Sequence, residues 1–231
     1  MTDLHTHILP AMDDGARDAA QSLAMLSAER AQGVDTVVLT PHFRRSREEA
    51  DSFLRRRAES YDTLRRAAEQ SDKSYPHMLL GAEVEWVPNL TDCDLLPQLC
   101  LGESRYLLLE LPFYAWSDSM IEQLYHLMQK TGIVPILAHI ERYLYSQKRE
   151  LLREIFRLGV PIQMNAEMLL RWQSKNRALS LLRKGEAQLI ASDCHNTTSR
   201  PPNLAKALEL LLRERDIDTS DYGDDYICSD K

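Results

Sequence analysis

Short apolar runs alternate with longer amphipathic segments along almost the whole chain. Runs such as TVVL (Thr36–Leu39), YLLLE (Tyr106–Glu110) and LIA (Leu189–Ala191) are continuously apolar rather than alternating, the pattern of strands buried on both faces. Seven strands are predicted: Asp3–His5, Thr36–Leu39, Met78–Ala82, Tyr106–Glu110, Val134–Ala138, Ile162–Asn165 and Leu189–Ala191. Helical spacing predicts Ala19–Gln32, Ser46–Gln70, Asp118–Lys130, Gln147–Leu158, Lys175–Lys184 and Leu204–Arg215. Gly33, Gly132 and Gly159 each stand between a helical stretch and the next strand, where a glycine commonly terminates a helix. This alternation predicts a parallel α/β fold in a single domain. An open sheet and a closed barrel share the same periodicity. The final stretch DIDTSDYGDDYICSDK is acidic and aperiodic, so residues 219–231 are expected to form a flexible tail.

The polar residues sharpen this picture because of where they fall. Strand 1 carries His5 and His7 in D-L-H-T-H, strand 2 runs into Pro41-His42, and strand 3 into Glu83. Strand 4 ends in Glu110, strand 5 in His139, strand 6 near Asn165, and strand 7 in Asp193-Cys194-His195. In parallel α/β folds the strand C-termini share one rim, where active sites are built. Five of the seven histidines sit at these ends, and His77 and His126 do not. One histidine after a strand is usually a hydrogen-bonded structural residue. A whole rim of imidazoles and carboxylates is costly without a cation between them. Mixed nitrogen and oxygen donors suit Mn, Fe or Zn, and residues two apart on a strand share a face.

The segment LIASDCHNTTSRPP supports a second reading. Cys194 and Arg200 have the C-x5-R spacing of cysteine phosphatases, whereas Asp193 and His195 flank the thiol as metal donors would. Bulk properties exclude other classes. The formal net charge of −7 argues against a nucleic-acid surface. No apolar window is long enough for a membrane span, and MTDLHTHILP does not read as a signal peptide. Four cysteines without a secretion signal read as reduced thiols in a cytoplasm.

The ordered set DLHTHILPAMDDGA, TPHF, GAE, AHIERY and ASDCHN resembles the PHP (polymerase and histidinol phosphatase) superfamily. Within it, the chain is similar to the bacterial manganese-dependent tyrosine-protein phosphatases of capsule and exopolysaccharide loci, the CpsB/YwqE type, from about Met1 to Pro202. That resemblance implies a distorted (β/α)7 barrel with up to three metal ions at the strand C-termini. It implies that His5, His7, Glu83 and Asp193 hold one ion. Glu83, Glu110 and His139 then hold a second, and Asp14, His42 and His195 a third. Arg142 and Arg200 match phosphate-binding positions. Mn2+ is the implied metal, with Fe or Zn as alternatives. The implied substrate is a phosphotyrosine protein, an autophosphorylating bacterial tyrosine kinase, with an oligomer compatible with the resemblance. Three departures stand out. Cys194 replaces a frequent methionine, Thr198-Ser199 replaces a glycine before Arg200, and the chain after Asp218 lacks a final helix-forming segment.

The expected chemistry is metal-assisted hydrolysis, in which clustered ions supply hydroxide near neutral pH and the two arginines neutralise phosphoryl oxygens. Phosphoester alternatives are histidinol-phosphate hydrolysis and a nuclease-like editing activity. The remaining rivals are the cysteine mechanism and a module that binds phosphotyrosine without turnover. Arg44 and Arg45 are open equally to a substrate-facing place on the rim and to a solvated helix start, and Arg47 is expected as a solvated helix start. Arg55, Arg56 and Arg57 are expected as a charged helix face paired with Glu48, Glu49 and Glu59. Trp86, Tyr114 and Trp116 follow rim positions and are open to either cleft or core roles.

Overall fold

The computed structural model describes residues 1–214 together with Ile217, Tyr226 and Ile227. In chain order the elements are β1 (Thr2–Thr6), α1 (Ala19–Ala31), β2 (Thr36–Leu39), β3 (His42–Phe43), α2 (Ala50–Glu69), β4 (His77–Leu80), β5 (Glu83–Glu85), β6 (Tyr106–Glu110), α3 (Asp118–Thr131), β7 (Val134–Leu137), α4 (Arg149–Arg157), β8 (Gln163–Asn165), α5 (Glu167–Leu170), α6 (Trp172–Arg183), β9 (Leu189–Ala191) and α7 (Leu204–Leu211). Every strand pairing is parallel. The sheets are β1-β2-β4, β3-β5-β6-β7 and β8-β9. A single parallel bridge joins Leu137 to Ile162, and another joins Thr6 to Cys194.

The second and third predicted strands are each followed, after a break, by a further short strand that was not predicted, β3 and β5. The second breaks at Thr40-Pro41, where proline has no amide to donate to a ladder. Thr40 turns back instead: its amide donates to Thr6 O at 2.9 Å and its Oγ1 accepts the Thr6 amide at 3.0 Å. The third breaks at Gly81-Ala82. A Cβ on Gly81 would lie 2.9 Å from Leu101 Cδ2, so any larger residue there would have to push the Leu101 side chain aside.

Side chains alternate between two apolar layers. Val37, Leu39, Leu107, Leu109 and Leu137 pack into the large cluster shared with the helices. Leu4, Val38, Leu108, Ile136 and Leu189, from five different strands, meet in a second cluster. Asp18 caps α1 by accepting the Gln21 amide, and Ser117 caps α3 by accepting that of Met120. Gly132 ends α3 with a left-handed φ of 71°, as its position predicted.

Several boundaries differ from the sequence expectation. Helix α2 starts at Ala50 rather than Ser46, because the amides of Arg47 and Glu48 both turn onto Arg44 O. The Ser46 amide and hydroxyl both donate to Glu85 Oε2. Helix α6 starts early, at Trp172. Helix α7 is seen to Leu211, and Arg215 lies outside the described residues. Most of the predicted tail 219–231 and the predicted lack of a final helix also lie outside them. Within it, the Tyr226 ring packs on Tyr106 at 4.9 Å.

Arg57 corrects the reading of α2 as carrying three surface arginines. It is buried and donates to Gly81 O at 2.7 Å and Gln98 O at 2.8 Å, tying the helix to the strand break. Arg55 pairs with Asp51, and Arg56 with Glu48.

Candidate active site

The side chains singled out at the strand ends meet at one end of the sheets. His5 Nε2 and His7 Nε2 lie 3.1 Å apart. Each is 3.3 Å from Glu83 Oε2 and 3.4 Å from Asp193 Oδ1. Donors about 2.1 Å from a common ion are separated by about 3.4 Å in a tetrahedron, so His5, His7 and Asp193 can face one ion, and Glu83 Oε2 stands at the same spacing from both imidazoles. The other oxygen of Glu83 lies 2.7 Å from His139 Nε2, which is 3.3 Å from Glu110 Oε1. Asp14 Oδ1 lies 3.4 Å from His42 Nε2 and 3.6 Å from His195 Nε2. Glu83 thus faces two donor groups with its two oxygens. His42 also reaches Glu83 Oε2 through Nδ1, at 2.8 Å.

Backbone conformation serves this convergence. His139 and Asp193 have φ values of 36° and 53°, a left-handed region where side chains other than glycine are strained. Gly15 of the DDG run passes so close to His7 that a Cβ would lie 2.1 Å from His7 O.

Three residues orient these donors: Asn165, which the sequence reading placed at the rim, and Asp13 and Gln163, which it did not single out. Asp13 Oδ2 lies 2.7 Å from His7 Nδ1 and accepts the His42 amide at 2.9 Å. Gln163 Oε1 lies 3.3 Å from His5 Nδ1 and accepts the His139 amide at 2.7 Å. Asn165 Nδ2 donates to Asp193 Oδ2 at 2.7 Å. Carboxylate and amide partners of this kind fix which imidazole nitrogen faces a metal. The second acidic residue of the DDG run was the available signal for Asp13, but nothing local marked Gln163.

Electrostatics follow from this crowding. Burial opposes charge on Glu83, yet His5, His42 and His139 hold its carboxyl far below the usual range. Burial likewise opposes charge on Asp193, and His5 and His7 hold it low. Burial works against the imidazoliums too. Even so, Glu83 and Asp14 raise His42 to about 9, and Glu110 and Glu83 raise His139 to about 9. His195 runs the other way, lowered to about 3 by burial and the nearby His7. Glu83 Oε2 and His195 Nε2 are buried with no aligned hydrogen-bond partner, and the donors are nitrogen and oxygen throughout. These residues fit divalent cations.

Arg142 Nη2 and Arg200 Nη2 both donate to Asp193 Oδ2, at 2.9 and 2.6 Å, with about a third of each side chain exposed. They line a cavity of about 580 Å³ with Asp14, His42, Glu110, Arg44, Trp86, Phe113 and Tyr114. Trp116 is not part of it. It is buried against Tyr143, with ring centroids 5.0 Å apart. Arg45 pairs with Glu49 outside the cavity.

The thiol reading fails on geometry. Cys194 is fully buried, and its Sγ donates to Glu29 Oε1 at 3.6 Å. Burial, with Glu29 and Asp3 beside it, pushes the thiol well above its ordinary value, so no thiolate forms near neutral pH. The loop amides are also committed. Those of Thr198, Ser199 and Arg200 all donate to Asn196 Oδ1, at 2.9, 2.7 and 3.1 Å. This Asx arrangement takes the place of the glycine expected before Arg200.

A parallel α/β fold with clustered imidazoles and carboxylates at the strand C-termini, rimmed by two arginines, defines a candidate polynuclear metal site for an anionic substrate. The chain matches the family described as capsular polysaccharide synthesis, CpsB/CapC, over residues 1–226, and belongs to it. It is 34% identical to the tyrosine-protein phosphatase YwqE of Bacillus subtilis over 93% of this chain and 85% of that protein. It is 28% identical to the tyrosine-protein phosphatase CpsB of Streptococcus agalactiae, over 93% and 90%. Among solved structures it is similar to a chain from the work on YwqE of Bacillus subtilis and CpsB of Streptococcus pneumoniae, described as metal-dependent tyrosine phosphatases. The TM-score there is 0.78 at 31% identity, covering 93% of this chain and 87% of that one. A putative histidinol phosphatase from Listeria monocytogenes shares the fold at 14% identity, with a TM-score of 0.51 over 84% and 95% of the two chains.

Proposed function

We propose that this chain is a divalent-metal-dependent protein-tyrosine phosphatase acting in capsule or exopolysaccharide synthesis. The observation that carries the reading is the grouping of His5, His7 and Asp193 as donors for one ion, with Glu83 beside both imidazoles and two arginines next to them. His5, His7, Glu83 and Asp193 hold one ion, Glu83, Glu110 and His139 a second, and Asp14, His42 and His195 a third. Mn2+ is the proposed metal, with Fe or Zn as alternatives. When bound, such ions supply Lewis acidity and lower the pKa of water enough to make it a nucleophile near pH 7. Arg142 and Arg200 exchange Asp193 Oδ2 for phosphoryl oxygens and neutralise the charge that builds on them. A phenol of pKa about 10 leaves readily, which lessens the need for a protein acid.

The sheets are read as one closed, distorted (β/α)7 barrel. In support, the Leu137–Ile162 and Thr6–Cys194 bridges link the three sheets end to end. Side chains from five strands also meet in the inner cluster. The proposed substrate is the phosphotyrosine of an autophosphorylating bacterial kinase. A cytoplasmic setting accords with buried, unpaired Cys93, Cys100 and Cys194. Among the described residues no helix is long and apolar enough to cross a membrane.

The test compares hydrolysis of a phosphotyrosine peptide and of histidinol phosphate by manganese-loaded protein, with and without EDTA. EDTA-sensitive turnover of the peptide is expected to exceed that of histidinol phosphate by at least tenfold. The reverse preference would convert the reading to a small-molecule phosphatase. Activity that survives EDTA would end the metal mechanism.

A further inference from the structure

The segment after β6 brings two large aromatic side chains to the cavity, Phe113 at 55% exposure and Tyr114 at 64%. Single exposed aromatics on a loose loop would carry little meaning. This loop, however, is held from behind at four points. Tyr143 Oη donates to Leu111 O at 2.8 Å, and Trp116 Nε1 to Pro112 O at 3.0 Å. Gln147 Nε2 donates to Tyr114 O at 3.0 Å, and Gln147 Oε1 accepts the Trp116 amide at 2.9 Å. Tyr143, Trp116 and Gln147 are all buried, so core side chains present the two aromatics at the surface.

Phe113 is also indexed to the candidate metal site. Its ring stacks on Tyr143 with centroids 5.7 Å apart at 29°, and Tyr143 lies 5.9 Å from the ring of His139. One buried ring therefore separates the Phe113 ring from a proposed metal ligand. Trp86 and Pro88, from the segment after β5, line the same cavity. The cavity thus joins a charged region (Asp14, His42, Glu110, Arg142 and Arg200) to an aromatic wall. An aryl phosphate monoester has the same two-part character, a dianionic head on a flat apolar ring.

We propose that Phe113 and Tyr114, with Trp86, form the subsite for the aryl ring of the substrate, and so set a preference for phosphotyrosine over phosphoserine and small alkyl phosphates. This rests on the phosphatase reading for its substrate class, but it is tested by binding rather than turnover.

The experiment is calorimetric titration of manganese-loaded protein with phenylphosphonate and with methylphosphonate, which share an anionic head and differ by the ring. The unaltered protein is expected to bind phenylphosphonate about tenfold more tightly, the size of a favourable ring–ring contact. Phe113→Ala is expected to reduce that ratio to about twofold, leaving methylphosphonate affinity and manganese content unchanged. Tyr114→Ala, which leaves the Phe113–Tyr143 stack in place, is expected to reduce it in part. A ratio near one in the unaltered protein, an unchanged ratio in both variants, or equal weakening of both ligands would overturn the proposal. Failure to hydrolyse a phosphotyrosine peptide would instead remove the phosphatase reading and leave these ratios as they stand.

Discussion

His5 Nε2 and His7 Nε2 lie 3.1 Å apart, with both rings fully buried. Two imidazoles that face each other so closely cannot both carry a proton there without repulsion. Glu83 and Asp193 close the same space from its other sides, which makes it a place for a cation.

Holding His7 Nε2 toward that space requires its other nitrogen to be engaged, and Asp13 engages it at 2.7 Å. Asp13→Asn is therefore expected to weaken metal binding by about 10- to 100-fold, with the fold retained. Metal titration alongside a thermal melt checks this. Unchanged affinity would mean that Asp13 serves the loop alone.

Arg142 and Arg200 share one oxygen of Asp193 and are proposed to share the phosphate. Replacing either with alanine is expected to lower kcat/KM on a phosphotyrosine peptide about 100-fold. Lysine should recover only part of the loss, since it lacks the planar two-pronged donor. Metal content must stay constant for the comparison to count, and losses below about threefold would place the phosphate elsewhere.

Metal uptake should release protons. His42 and His139 stand at about 9 in the metal-free protein, above the ordinary 6.5, so both are protonated at pH 7, while ligation needs neutral imidazole. Apparent metal affinity is thus expected to rise with pH up to about 9. Calorimetry in buffers of different ionisation enthalpy would count the protons. For the metal-free fold, the stability from these raised groups is fully present below about 6.5 and lost as pH rises through about 9. His195, lowered to about 3, has the opposite sign: its contribution is present above about 6.5 and lost as pH falls toward 3. Melting curves of EDTA-treated protein across pH would separate the two windows.

Cys194 lies between two proposed ligands yet points into the core. Cys194→Ser is expected to keep most activity, iodoacetamide to leave turnover by the native enzyme unchanged, and EDTA to abolish it. A tenfold loss in the serine variant at full metal content would return the thiol to the mechanism.

How far the sequence carried depended on the range of the interaction involved. Alternation of apolar runs and helical stretches was enough for a parallel α/β fold, because strand burial and helix termination are local effects of adjacent residues. The same alternation put the rim histidines and carboxylates at one end, since parallel strands share a direction. The breaks at Pro41 and Gly81 were harder to see. Proline was visible, but the crowding at Gly81 comes from Leu101, which is distant in the chain.

What the sequence determined by itself was which donor types stand at which strand ends. Tertiary structure decided the rest. It oriented His5 through Gln163, 158 residues away, and His7 through Asp13. It buried Arg57 and Trp116, left Phe113 and Tyr114 facing the cleft, and turned Cys194 inward. These outcomes depend on which distant backbone and side-chain atoms lie within hydrogen-bond or contact distance. Residue order does not specify such distances until the strands have been brought side by side.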